Sequence, residues 1–172
     1  ILYGSQFITI EVENEEGELE EVNYPVAQFI IEEILSDEIS YINKDYQLVF
    51  DEYLDGIQQG LVISEKHFTH HENSNLNRIV IDITTQKDSV SNNWAEKHQI
   101  YPVQESERLK DAVIQSVAIF KMRTTENMIA DKQNALKHEA SNDTIMELLE
   151  TIKNLTMARN LFAEKLGIVI TR

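Results

Sequence analysis

Beyond Pro102 the chain contains no proline, and its single glycine is Gly167. Residues 103–166 therefore lack the two residue types that most readily end a helix. Within them Leu109, Val113, Val117, Phe120, Thr124 and Met128 recur at steps of three or four, which places them along one face of a long helix starting near Gln104. Ala140-Ser141-Asn142-Asp143 interrupts the pattern, and Thr144 with Glu147 has capping-box spacing. A second stripe of Ile145, Leu148, Ile152, Leu155, Phe162 and Leu166 then runs to Gly167. Two long helices joined by a few residues read as an antiparallel helical hairpin. The adjacent β-branched pair Thr124-Thr125 lowers helix propensity, so a bend or break is expected there. That divides the chain into residues 1–124 and a C-terminal hairpin, 125–172.

The front of the chain has a different period. Phe7 to Val12 is rich in β-branched and aromatic residues, with Ile8, Ile10 and Val12 on one face. Asn14-Glu15-Glu16-Gly17 supplies a turn, and Leu19 to Tyr24 can return as the second strand of a hairpin, Glu-rich over 7–22. From Pro25, suited to a first helical position, Val26, Phe29, Ile30, Ile34 and Leu35 repeat at helical spacing. A second helix follows Asn43 as N-cap, presents Tyr46, Val49, Phe50, Tyr53, Leu54 and Ile57, and closes at Gly60. Ser64 opens a short helix with His67 and Phe68. Another helix carries Leu76, Ile79, Val80 and Ile83; Asp88 to Asn93 is a polar break, and Trp94 starts one more short segment before Tyr101-Pro102. The expected fold is mainly α: a helical bundle with a small N-terminal β-hairpin, followed by the long C-terminal hairpin.

Charge narrows the function. The formal net charge is −15, and residues 1–60 hold 15 acidic side chains against 1 basic one. Such a front end repels phosphates, because nucleic-acid affinity rests on Lys and Arg displacing counterions, and it disfavours anionic membrane for the same reason. Residues 103–172 hold 10 acidic and 10 basic side chains with no basic stripe, so direct nucleic-acid binding is not expected there either. Zero cysteines exclude disulfides, thiolate zinc sites and thiol nucleophiles, and suit a reducing cytoplasm. No apolar run approaches the ~20 residues needed to span a bilayer. A chain opening on Ile1 without Met reads as a piece of a longer protein.

Chemistry-bearing patterns are sparse. His67, His70 and His71 stand at i, i+3 and i+4 with Glu72 beside them, a spacing that can place imidazoles on one side of a helix as zinc requires. No HExxH pattern accompanies them, so exposed or capping histidines are the plainer reading, and no cofactor or metal is expected. The carboxylate pairs Glu15-Glu16, Glu20-Glu21 and Glu32-Glu33 are too many, and too exposed by pattern, to mark a catalytic acid and base. Nucleophile elbows, phosphate loops and dinucleotide fingerprints are absent. Catalytic residues are thus expected to be none. Several apolar residues fall off the two hairpin seams: Ile119 and Met122 on the first helix, and Met146, Leu149, Met157 and Leu161 on the second. These are covered by the helical body or form a partner-binding face, with Lys153 and Arg159 as rim charges.

The order of elements, with the stretches Ile1-Leu2-Tyr3-Gly4, Val26-Ala27-Gln28-Phe29-Ile30-Ile31-Glu32-Glu33-Ile34, Asn75-Leu76-Asn77-Arg78-Ile79-Val80, Glu107-Arg108-Leu109, Met146 to Leu155 and Asn160 to Gly167, resembles the C-terminal helicase-interacting domain of bacterial DNA primases, particularly those of Bacteroidetes type. The resemblance implies a helix-bundle subdomain followed by a helical hairpin, non-catalytic in itself, within a cytoplasmic protein of DNA replication. It implies a partner, the N-terminal domain of the replicative DNA helicase, and zinc-binding and polymerase domains upstream of Ile1. The Glu-rich hairpin at 7–22 departs from that pattern. Two rivals of other classes are a small metal-dependent enzyme using the histidines and a carboxylate, and a helical domain that associates with itself.

Overall fold

The computed structural model describes residues 1, 3–14, 16–37, 39, 41–85, 108–139 and 141–168. The expected polar break at 88–93, the segment at Trp94, Tyr101-Pro102 and the helix start near Gln104 lie outside the described residues. Two compact units, Ile1–Val113 and Ile114–Arg172, make up the chain.

In the first unit, β1 (Phe7–Glu13) and β2 (Leu19–Pro25) pair antiparallel with Phe7 opposite Pro25 and Glu13 opposite Leu19. The turn is closed by Asn14, whose Oδ1 accepts the Glu16 and Glu18 amides at 3.0 and 2.9 Å, while Gly17 takes φ +81°. Register sets Glu11 directly against Glu21, a like-charge pair that weakens the ladder. Burial compensates only at the strands' other end. Ile8 is buried with Val26, Leu109 and Val113, and Tyr3, Ile10, Tyr24, Phe29 and Ile30 pack around them. The ribbon is thus held at its base, with an exposed acidic tip.

Next among the described residues come α1 (Val26–Ser36), α2 (Lys44–Gln58), α3 (Glu65–Thr69) and α4 (Ser74–Thr85). Pro25 sits at the N-cap of α1, one position earlier than expected. Asn43 caps α2 as its side chain predicts, accepting from the Asp45 amide at 2.8 Å. A Schellman motif ends α2: Gly60 takes φ +70°, its amide donates to the Ile57 carbonyl at 2.9 Å, and the Leu61 amide to Gly56 at 2.8 Å. Ser64 occupies the N-cap of α3 without a side-chain bond. Asn73 caps α4, its Oδ1 accepting the Asn75 amide at 3.0 Å. Val49, Phe50, Tyr53, Ile63, Phe68, Leu76, Ile79 and Val80 are buried, and Phe68 is at the centre, its ring 4.9 Å from that of Tyr53. Ile31 on α1 is buried too, whereas Leu35, expected on the inner side, is exposed.

Tyr53 carries an anomaly in this core. Its hydroxyl is enclosed and takes no hydrogen-bond partner among the described residues. Burial, and secondarily the Glu65 carboxylate, push the phenol well above its ordinary value. In the unfolded chain the phenol ionises near its usual value of about 10. Stability associated with Tyr53 is therefore intact below that pH and is lost as pH rises above it. Tyr53→Phe is expected to leave stability at pH 7 unchanged or slightly raised, and to flatten its fall above about pH 10, because an unpaired hydroxyl is removed. Urea midpoints from pH 7 to 11 check both halves. A loss above 1 kcal/mol at pH 7 would show that the hydroxyl is satisfied after all.

Two long helices, α5 (Leu109–Leu136), whose first five residues belong to the first unit, and α6 (Asn142–Lys165), form the C-terminal helical hairpin. Of the bend or break expected at Thr124-Thr125, a break is absent: α5 is helical from Leu109 to Leu136. Thr125 satisfies its buried hydroxyl inside the helix by donating it to the Lys121 carbonyl, one turn back, at 2.8 Å. The two units divide between Val113 and Ile114, eleven residues before Thr124. The α5 seam also differs from the expected one. Leu109, Val113, Val117, Lys121, Thr125 and Ile129 are buried, while Met128 is exposed and Phe120 and Thr124 are half-buried. Strict steps of four turn this row by about 40° each time. From Leu109 to Ile129 the buried side of the helix thus winds through about 200°. Met122, read as off the seam, is buried as well.

In α6 the N-cap is Ser141, not Thr144, so the Thr144/Glu147 spacing lies inside the helix. The stripe Ile145, Leu148, Ile152, Leu155, Phe162 and Leu166 is half-buried along its length, with Ala163 buried beside it. Gly167 (φ +65°) ends α6 with a second Schellman motif, through Gly167 to Glu164 and Ile168 to Ala163.

Candidate functional sites

One candidate is the outer face of α6. At 100° per residue, Met146, Leu149, Lys153, Met157 and Leu161 share an arc of about 120°. All five are exposed, and the apolar four strongly so: Met146 68%, Leu149 45%, Met157 58% and Leu161 61%. Glu150, Asn160 and Glu164 lie within the same arc and are also exposed. Arg159 does not join them. It projects about 140° around the helix from Met146, on the side of the half-buried stripe. Its Nε is enclosed without a hydrogen-bond partner among the described residues, while an Nη donates to Asn160 Oδ1 at 3.0 Å. Periodicity alone could have excluded it from the rim, since 159 is an inner-stripe position.

The second candidate joins α2 to α3. Glu52, half-buried on α2, turns one carboxylate oxygen, Oε1, toward two imidazoles. His67 Nε2 lies 2.6 Å from it and His71 Nε2 3.2 Å, and the two rings are 5.3 Å apart. Phe68, fully buried between the two histidines in sequence, anchors the segment that carries them. His71 Nδ1 accepts the Asn73 amide at 3.1 Å, which puts the proton of the neutral ring on Nε2, facing the carboxylate. The i, i+4 pair was legible in the sequence; the carboxylate was not. Glu72, the neighbour expected to add an oxygen, is exposed, and His70 turns away, with Nδ1 against Lys66 O and Thr69 Oγ1 at 3.1 Å each. These three groups are the ones placed to hold a cation among the described residues.

Residues 1–169 match the model of a family described as a domain of unknown function, DUF8430. The chain belongs to the DUF8430 family. The match covers both units, so β-hairpin, helical bundle and C-terminal hairpin all fall within this family's domain. No curated protein and no solved structure matches the chain. No helix among the described residues is long and apolar enough to cross a membrane.

Proposed function

We propose that this DUF8430 chain is a non-catalytic docking module whose C-terminal hairpin binds another protein. One observation carries the reading: Met146, Leu149, Met157 and Leu161 expose large apolar side chains on one arc of α6, around Lys153. Large apolar side chains left exposed together on one helix face mark interfaces, and methionine suits an adaptable one. A helix face with polar residues interleaved docks into an apolar groove, the charges setting partner choice. The strongly acidic front end favours a protein partner over a polynucleotide.

The resemblance to the primase C-terminal domain supplies the partner class: the N-terminal domain of a replicative DNA helicase, so that the module would tether primer synthesis to the replication fork. A helical body followed by a helical hairpin agrees with that pattern. Calorimetry with the helicase N-terminal domain tests it. The Met157→Glu/Leu161→Glu double variant is expected to bind at least about tenfold more weakly, a change of ~1.4 kcal/mol or more. Its circular dichroism should be unchanged, because both positions face water. Absence of binding by the unaltered chain at high micromolar concentration excludes the helicase. Sedimentation of the chain alone distinguishes self-association through the same face.

A further inference from the structure

We propose that Glu52, His67 and His71 form a binding site for one divalent transition-metal ion of the zinc class, tying α2 to α3 and the turn that follows it. The donor set is two imidazole nitrogens and one carboxylate oxygen, the types zinc takes, contributed by segments fifteen and nineteen residues apart. Zinc bonds of about 2.0–2.2 Å in tetrahedral array place ligand atoms roughly 3.3–3.6 Å from one another. The His71–Glu52 separation of 3.2 Å is close to that already, and the His67–Glu52 separation of 2.6 Å must widen by less than about 1 Å. All three ligand atoms lie within 4.8 Å of one another. Each side chain is partly exposed, which leaves an entry path and at least one coordination position for water or an incoming ligand. The acidic front end attracts a cation toward this part of the chain.

The metal-free arrangement contains a marker for loading. Now His71 Nδ1 accepts the Asn73 amide. With a metal on Nε2, the ring's proton moves to Nδ1, as in metal-ligating histidines generally, and can no longer face an N–H. Asn73 is exposed, so its amide turns to water, and its neighbourhood at the start of α4 is perturbed.

The test is a calorimetric titration of the metal-stripped chain with zinc chloride, repeated with cobalt(II) under visible spectroscopy. The expected result is one equivalent bound at micromolar Kd or tighter, with tetrahedral cobalt bands. His67→Ala and His71→Ala should each weaken binding roughly 100-fold, Glu52→Gln roughly tenfold, and His70→Ala not at all. Glu52→Gln retains volume and a carbonyl acceptor, so it reports on the charge even if an alanine variant fails to fold. On the unaltered chain, the Asn73 amide resonance should shift in step with zinc. No stoichiometric binding, or binding that His70→Ala weakens as much as His71→Ala, overturns the proposal. Helicase binding enters none of these measurements, so the docking role and the metal site stand or fall separately.

Discussion

Phe68→Ala is expected to destabilise the first unit by about 3–5 kcal/mol, the range for emptying a buried aromatic site. The side chain is 0% exposed, sits against Tyr53 with ring centroids 4.9 Å apart, and meets the edge of His67 at 5.4 Å. Truncation removes the ring's transfer energy and leaves a cavity that these neighbours cannot fill without moving. The second reason is local. A helix of five residues cannot stand alone, because nucleation is unfavourable and there is little propagation to offset it. What orders α3 is therefore its tertiary contact, and Phe68 is the one fully buried side chain in it. With a domain's total stability of about 5–15 kcal/mol, the loss is a large share of the whole. Urea unfolding measures it as a lowered midpoint at unchanged slope. A shift equivalent to less than 1 kcal/mol would mean that α3 is held by something other than its aromatic anchor. Because His67 and His71 flank Phe68, the same variant should also blunt any zinc affinity.

Gly56→Ala should destabilise by about 1–3 kcal/mol, although alanine is the better helix former. Gly56 is buried inside α2, where alanine would gain roughly 1 kcal/mol on propensity alone. Opposing that, an added Cβ would run into Cγ1 and Cδ1 of Ile63, itself buried. Both atoms belong to a side chain packed at the core, so the clash is relieved only by displacing Ile63 or bending the helix end. The same residue supplies the carbonyl that closes the Schellman motif through the Leu61 amide. The clash wins. Shortening the obstacle should reverse much of it: in a double-mutant cycle, Ile63→Ala is expected to cost less in the Gly56→Ala background than alone. Equal costs in both backgrounds would place the effect in the backbone instead of in the contact.

Features governed by neighbours along the chain were legible before any fold was known. Asn43 caps α2, Gly60 and Gly167 end α2 and α6 with positive φ, and Ile145 through Leu166 face inward, because each of these needs only local geometry. Thr144 misled because capping-box spacing occurs by chance inside a helix, and Ser141, three residues earlier, holds the N-cap position without a side-chain bond. Thr124-Thr125 does not break α5. Propensity scores a β-branched residue as weak, yet a buried Thr125 hydroxyl can satisfy itself on the preceding turn. The α5 seam was hidden because its buried residues include Lys121 and Thr125, polar types that no apolar stripe would contain. In the metal candidate, the two histidines were visible at i, i+4, but Glu52 was one acid among fifteen in the first sixty residues. Only the approach of α2 to α3 singles it out.

The four-residue cadence of α5 also limits how its length can vary. Inserting or deleting one residue after Lys121 would swing Thr125 and Ile129 about 100° around the axis relative to Val117 and Lys121, turning their burial into exposure. A four-residue insertion would rotate them by only about 40°. Within α5, a change of length is therefore expected to preserve the buried row only when it comes in near-whole turns.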